Sequence, residues 1–174
     1  MAVSILGMML IVLGWVYVMG QSADALVELS QTLQVSVAHL ARDLEQSAYD
    51  GLSLEPATLS CLVAGNERRE LKFDAQGKTE WQRFLVYYRD APRRLLLRTQ
   101  VELPATAPQR LAPGPLTGLV PVHPLQHYAT GGSVIGRSIT RFEPSQQGRL
   151  VQVKVEARRD PERVTQLLTV RLRN

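Results

Sequence analysis

The first 23 residues, Met1 to Ala23, contain no charged side chain, and this stretch constrains the fold more than any other feature of the sequence. A helix over residues 2–20 would be roughly 29 Å long at 1.5 Å per residue, close to the hydrocarbon thickness of a bilayer. Two aromatic side chains near its end suit the headgroup region. The pattern predicts a membrane anchor. Its predicted membrane-contacting residues are Ile5, Leu6, Leu10, Leu13, Trp15, Val16 and Tyr17.

A cleaved signal peptide is the alternative interpretation of this stretch. It is disfavoured because no Lys or Arg precedes the apolar run, the run exceeds the usual 7 to 15 residues, and no small-residue cleavage site ends it. A membrane segment normally has basic residues on its cytoplasmic side. Their absence here leaves two explanations: a true start upstream of Met1, or an orientation set by other means.

Beyond the anchor, apolar residues recur at the spacing of one helix face. They lie 3, 4, 4, 3 and 4 residues apart, at Leu26, Leu29, Leu33, Val37, Leu40 and Leu44. No proline occurs before Pro56, and Gly51 is a typical stop signal. The pattern predicts one continuous helix from residue 2 to about residue 49, roughly 70 Å long. Its second half is expected to pack its leucine stripe against a sheet.

After Pro56 the apolar period changes from helical to alternating, which predicts β-strands separated by turns. The predicted strands are 58–63, 70–73, 81–89, 93–103, 134–142, 150–157 and 164–172. Half-buried antiparallel strands with one polar face need one covering layer, and the leucine stripe would supply it. The predicted fold class is α+β, with one long N-terminal helix packed on an antiparallel β-sheet.

Residues 104–128 contain six prolines and cannot supply a regular ladder of N–H donors. They are predicted to form an ordered or partly mobile surface loop. The predicted organisation is therefore an anchor over 1–23, an amphipathic helix over 24–50, and a sheet domain over 51–174 that carries this proline-rich loop.

Several strings, taken in order, resemble the type IV pilin-like family, and most closely its minor pseudopilins and minor pilins of the J and W types. These strings are AVSILGMML (2–10), LARDLEQSA (40–48), FLVYYR (84–89), LLLR (95–98), VI (134–135), ITRF (139–142), VQVKV (151–155) and VRLRN (170–174). The sequence departs from the family at its start. Family members have a basic leader, a cleavage site and a glutamate early in the helix, and none of these is present. A start placed downstream of the true one is the simplest explanation.

The resemblance implies a pilin-like fold and a structural subunit that helps initiate or cap a type II secretion pseudopilus or a type IV pilus. It implies partners among other pilin-like subunits, the membrane and secreted cargo. The implied location is the inner membrane, crossed once, with the C-terminal domain periplasmic or extracellular. Two alternatives stay open: a DNA-uptake or adhesion pilin of the same architecture, and an unrelated membrane-tethered enzyme.

No motif in the chain predicts catalysis, a cofactor or a metal site. Gly77-Lys78-Thr79 lacks the upstream glycine of a phosphate-binding loop and is interpreted as a hairpin turn. His123 and His127 are separated by proline and lack further ligands. Cys61 is single, which excludes an intrachain disulfide, and is interpreted as a buried strand residue.

Charge leaves the choice of partner open. The formal net charge of +4 comes mainly from arginine. The basic C-terminal end is interpreted as a solvated sheet edge, with binding to nucleic acid as the alternative. Its arginines are Arg158, Arg159, Arg163, Arg171 and Arg173. Asp24 and Glu28 share a helix face beyond the anchor and are expected either to be solvated or to pair with basic residues of a neighbouring subunit.

Overall fold

The computed structural model describes residues 2–65, 70–116, 125 and 131–172, with side chains from residue 22 onward. One α-helix, α1 (Ala2–Glu45), comes first in these residues, and a 3₁₀ turn at Tyr49–Gly51 follows it. A second 3₁₀ turn lies at Pro108–Arg110. The strands are β1 (Ser53–Glu55), β2 (Thr58–Val63), β3 (Lys72–Phe73), β4 (Thr79–Glu80), β5 (Arg83–Asp90), β6 (Leu95–Glu102), β7 (Ser133–Gly136), β8 (Ile139–Gln147), β9 (Leu150–Arg159) and β10 (Glu162–Arg171).

These strands form three antiparallel sheets. The largest has the order β1-β2-β5-β6-β7, the second has the order β10-β9-β8, and β3 pairs with β4 in a small hairpin. Successive hairpins generate most of this order, because short loops join neighbouring antiparallel strands. The chain changes sheet between β7 and β8, where Ser138 adopts a φ of 60°. The predicted continuous strand over 134–142 is therefore two strands in two different sheets.

The predicted α+β fold, with a long helix packed on one antiparallel sheet in the manner of a pilin, is wrong. The described structure is a mostly-β fold with about 49% strand and three sheets. The prediction failed because alternation shows that a strand is half-buried but does not show what buries it. Here the main core is shared: β2, β5 and β6 of one sheet, β8, β9 and β10 of the other, and α1 all contribute side chains.

The centre of the five-stranded sheet is buried on both of its faces, which a single covering layer cannot achieve. Every residue of β2 is buried, and so are the first five residues of β5. A second core lies on the face away from α1, where Phe84 and Val86 contact side chains of the proline-rich segment. Leu116 and Leu125 from that segment are each 1% exposed. The segment was predicted to be a surface loop, but these two leucines seal a sheet face.

The helix ends at Glu45 because the chain that follows joins β2. The backbone N–H of Ala48 donates to the carbonyl oxygen of Leu62 at 3.0 Å. Gly51, predicted to stop the helix, lies instead directly against β2. A Cβ atom built at Gly51 would come within 2.3 Å of the Cβ of Leu62, so only glycine allows this approach.

Candidate assembly site at the helix and its junction with the sheets

The leucine stripe of α1 enters the main core over most of its length. Leu29, Leu33, Leu40 and Leu44 are buried, and Val37 is partly buried against them. Leu26 is 38% exposed. Burying a leucine contributes about 1.5 to 3 kcal/mol, so the four buried leucines contribute the larger part of the helix attachment.

Near the C-terminal end of α1, three polar side chains link the helix to the five-stranded sheet. Asp43 accepts a hydrogen bond from the hydroxyl of Tyr87 on β5 and another from Nε of Arg98 on β6, the latter at 2.8 Å. Arg98 Nε also lies 3.2 Å from the Tyr87 oxygen. Hydrogen bonds to charged groups are stronger than neutral ones, so this polar cluster fixes the position of α1 over the sheet. We call it the Asp43 cluster.

Burial in and beside the Asp43 cluster keeps the Tyr87 hydroxyl and the Cys61 thiol protonated. Burial, followed by the nearby Asp43 carboxylate, raises the pKa of Tyr87 well above its ordinary value. The same two causes, burial first, raise the pKa of the Cys61 thiol on β2. A thiol in this state is a poor nucleophile and a poor metal ligand. Cys61 is a buried strand residue, as its sequence context predicts.

A second contact brings the middle of α1 against β7. The buried hydroxyl of Ser36 lies 2.8 Å from the carbonyl oxygens of both Thr32 and Ile135, and its single proton can serve one of them at a time. The adjacent Gly136 allows this approach, because a Cβ atom there would lie 2.6 Å from the Ser36 oxygen. The helix therefore covers the outer edge of β7.

A third contact joins α1 at Glu28 to the end of β9, beside the turn into β10. Glu28 pairs with Arg159 at 2.7 Å, and both side chains are more than half exposed. An ion pair in this setting contributes at most about 1 kcal/mol. A groove of about 530 Å³ lies beside the pair, lined by Asp24 and by residues 159–162 among others. Glu28 thus has a partner within its own chain.

The helix also leaves some apolar side chains exposed. Val27 and Val35 are each more than half exposed, and Val134 of β7, which lines a groove with Val35, is also exposed. This groove between Val35 and β7 has a volume of about 340 Å³. Exposed apolar patches bordered by polar residues often mark protein interfaces.

The remaining sequence candidates do not converge on a reactive site. Gly77-Lys78-Thr79 belongs to the turn between β3 and β4, where the amides of Gln76 and Lys78 donate to the Asp74 carboxylate. The interpretation as a hairpin turn is confirmed. His123 and His127 lie outside the described residues. Within the described part of the chain, no three His, Cys, Asp or Glu side chains are grouped to hold a metal ion.

The basic C-terminal end is largely paired within the chain. Arg158 pairs with Asp160 at 2.6 Å, and Arg163 pairs with Glu156 at 2.5 Å. Arg159 pairs with Glu28 as described above. Arg171 is exposed, and Arg173 lies outside the described residues. Three of the five predicted basic groups therefore have their charge offset locally.

The side chains of the predicted anchor lie outside the described residues. These are Ile5, Leu6, Leu10, Leu13, Trp15, Val16 and Tyr17. Among the residues that the structure describes, no helix combines the length and apolarity needed to span a bilayer.

No family model, curated protein or solved structure matches this chain. The resemblance to pilin-like proteins therefore depends on the sequence strings alone. The site itself is defined by geometry: a helix held to two sheets at three places, with an open groove between Val35 and β7.

Proposed function

We propose that the protein is a structural subunit that its N-terminal helix anchors in an assembly, and not an enzyme. The observation that carries the proposal is the continuity of α1 from Ala2 to Glu45. One end of this helix has an uncharged sequence, and the other end is fixed in the core of the body. Such a helix mechanically connects the body to the membrane or subunits that its first residues bind.

We propose that this subunit is a minor pseudopilin or minor pilin. It helps initiate or cap a short filament of a type II secretion or type IV pilus system. Its partners are other pilin-like subunits and the inner membrane, which residues 1–23 cross once, with the C-terminal domain periplasmic or extracellular. The support is the order of the sequence strings together with the uncharged first 23 residues. The body itself has the mostly-β fold described above.

Internal pairing of the C-terminal arginines supports the structural role over nucleic-acid capture. Affinity for DNA comes largely from cationic side chains that neutralise phosphates. Arg158, Arg159 and Arg163 each have a carboxylate partner within 2.7 Å in this chain, which lowers their contribution to such binding. Secreted cargo remains a proposed partner for the exposed sheet edges.

Membrane fractionation of the full-length protein tests the anchor. We expect wild-type protein to sediment with membranes, to resist extraction by high salt and alkaline carbonate, and to be released by detergent. Replacing Leu10 and Leu13 by Arg places two charges in the apolar stretch, at about 2.5 to 3.5 kcal/mol each on insertion scales. This variant should shift to the soluble fraction.

The matched control is Leu167→Arg, which changes an exposed leucine on β10 by the same chemistry. It should leave the fractionation unchanged. Wild-type protein that stays soluble and dispersed without detergent would overturn the anchor. Failure of the anchored protein to cross-link to pilin-like subunits in cells would overturn the filament role while leaving the anchor standing.

A further inference from the structure

Strand β8 is one of the two edge strands of the three-stranded sheet, and its unpaired edge faces a groove. Among the described residues it forms a ladder only with β9. A groove of about 640 Å³ follows residues 140–144 of this edge. Leu54, Pro56 and Ala57 near the β1–β2 turn contribute an apolar wall to it. A free edge of this kind is a template for pairing with another strand.

The direction of the backbone groups on this edge follows from Pro144. Proline has no N–H to donate to β9, and within sheets it occupies positions whose N–H would face away from the ladder. Because backbone groups alternate along a strand, those of Phe142 also point into the groove. The carbonyl oxygen of Thr140 accepts a hydrogen bond from Nη1 of Arg89 at 2.7 Å.

The charged side chains on this edge are self-complementary, because a second copy in antiparallel pairing would present the opposite charge across from each of them. Arg141 and Glu143 are both about half exposed, lie one residue before and one residue after Phe142, and pair with each other along the strand at 2.5 Å. In a two-fold antiparallel pairing centred on Phe142, Arg141 of each copy faces Glu143 of the other. Opposite charges directly across a strand pair are stabilising, and symmetry provides two such pairs.

The backbone donors and acceptors of this edge are self-complementary at Phe142 as well. Phe142 of each copy would exchange two backbone hydrogen bonds with Phe142 of the other. The regular part of the edge begins after Thr140, because the register with β9 shifts between Ile139 and Arg141. At this end of the edge, the Thr140 carbonyl oxygen already accepts a hydrogen bond from Arg89.

We propose that the protein forms a two-fold dimer in which β8 pairs with β8 of a second copy about Phe142. The two three-stranded sheets then form one six-stranded sheet. This pairing is independent of the membrane anchor and goes beyond the proposed function.

The other sheet edges lack this fit. The same symmetric pairing of β10 about Leu167 would place Arg163, which pairs with Glu156 of its own chain, opposite Arg171, so no opposite charges would meet across it. The edge of β7 is covered by α1 through Ser36. Strand β1 has only three residues. Strand β8 is therefore the edge that a second copy fits.

Cysteine pairing in the full-length protein tests both the dimer and its register. Positions 141 and 143 of opposite copies form a non-hydrogen-bonded pair with Cα atoms about 4.5 Å apart, within the range that a disulfide spans. We expect an equimolar mixture of Arg141→Cys and Glu143→Cys to form a disulfide-linked dimer under mild oxidation. Neither variant alone should do so, because identical positions are diagonal neighbours about 7 to 8 Å apart. The native Cys61 is buried and does not compete.

Absence of the mixed disulfide would overturn the proposal, whether β8 then binds nothing or binds an unrelated peptide. A dimer from Glu143→Cys alone, as abundant as the mixed one, would overturn the register about Phe142. A mixed dimer without single-variant dimers supports both.

Charge exchange provides a second test without cysteine. Arg141→Glu places two carboxylate pairs across the interface, and we expect the dimer to dissociate roughly tenfold more readily. The double variant Arg141→Glu/Glu143→Arg should restore the wild-type value, because the swapped charges face each other again. The readout is concentration-dependent protection of the Phe142 amide against hydrogen exchange.

The matched control for charge exchange is Arg158→Glu. Arg158 belongs to another exposed pair with two-residue spacing, with Asp160 at 2.6 Å. It should leave Phe142 protection unchanged. A double variant as weak as the single one would overturn the proposed pairing.

Discussion

Replacing Asp43 by alanine is the sharpest test of how α1 is held to the five-stranded sheet. Asp43 accepts hydrogen bonds from the Tyr87 hydroxyl and from Arg98 Nε. The Asp43 carboxylate is 13% exposed and the Arg98 side chain is 25% exposed. Removing the carboxylate therefore leaves one buried neutral donor and one partly buried cation without their common partner.

The expected cost is about 3 kcal/mol of unfolding free energy. The orphaned Tyr87 hydroxyl accounts for about 1 to 2 kcal/mol, because a buried polar group without a partner retains its desolvation penalty. The lost bond to Arg98 accounts for about 1.5 kcal/mol, the lower end for charged groups, since the partly exposed Arg98 side chain can reach water. Tyr87→Phe alone should cost about 1.5 kcal/mol, because Asp43 keeps its bond to Arg98.

The double variant Asp43→Ala/Tyr87→Phe distinguishes a shared cluster from two separate contacts. Removing both members eliminates the orphaned hydroxyl, so the double variant should cost about 1.5 kcal/mol, the part assigned to Arg98, and not the sum of about 4.5 kcal/mol. Urea unfolding of each full-length variant, followed by circular dichroism, measures these values. Asp24→Ala, an exposed change on the same helix, is the control and should stay within about 0.5 kcal/mol of wild type. Additive costs, or an Asp43→Ala cost below about 1 kcal/mol, would refute the reasoning.

Three further predictions concern alkaline stability, helix approach and the second core. Cys61 and Tyr87 keep their protons in the folded state, while the same groups in the unfolded chain ionise near pH 8.5 and 10. The free energy of unfolding should therefore fall as pH rises above about 8.5, by up to about 1.4 kcal/mol per pH unit for each group. Cys61→Ala should remove the slope between about pH 8.5 and 10 in urea titrations, and an unchanged slope would contradict this explanation. Gly136→Ala should cost about 1 to 3 kcal/mol in thermal unfolding, because its Cβ would meet the Ser36 oxygen at 2.6 Å, and adding Ser36→Ala should recover part of the loss. Leu125→Ala should cost about 2 to 4 kcal/mol in urea unfolding, whereas a surface loop residue would cost less than about 0.5 kcal/mol.

Local patterns predicted several elements closely. The strand predicted over 58–63 coincides with β2, because a short apolar run between turn residues has few alternatives. The helical spacing identified Leu29, Leu33, Leu40 and Leu44 before any contact was visible, and these four are buried. A helical period selects one face, and that face must be covered wherever the helix meets a body.

The same patterns could not show which strands are neighbours. The break at Arg137 and Ser138 sends β8 to a different sheet from β7, and a polar dipeptide in an otherwise alternating run gives little warning of this. The proline-rich segment was predicted to be a surface loop because proline weakens ladders. Proline does not prevent isolated leucines such as Leu116 from packing into a core. The separation of β7 from β8 and the burial of these leucines both depend on long-range packing, which periodicity does not encode.

The functional contacts were missed for a related reason. Asp43 and Arg98 are 55 residues apart, and in the sequence each is one charge among many. Only the crossing of α1 over β5 and β6 brings them together with Tyr87. A charged residue at the margin of an apolar helix face is the single sequence signal available. It indicates that the charge needs a partner but does not identify the partner.

The three polar contacts along α1 differ in strength, and their order determines how the helix would detach. The Glu28–Arg159 pair is exposed and worth little. The Ser36 contact is buried but neutral. The Asp43 cluster is both buried and charged, and Leu40 and Leu44 are buried in the same part of the helix. A pull on the N-terminal end would meet the weakest polar contact first and the Asp43 cluster last, but it would also have to draw the buried Leu29 and Leu33 out of the core. The polar contacts are therefore graded along α1, whereas the apolar contacts hold it to the core from Leu29 to Leu44.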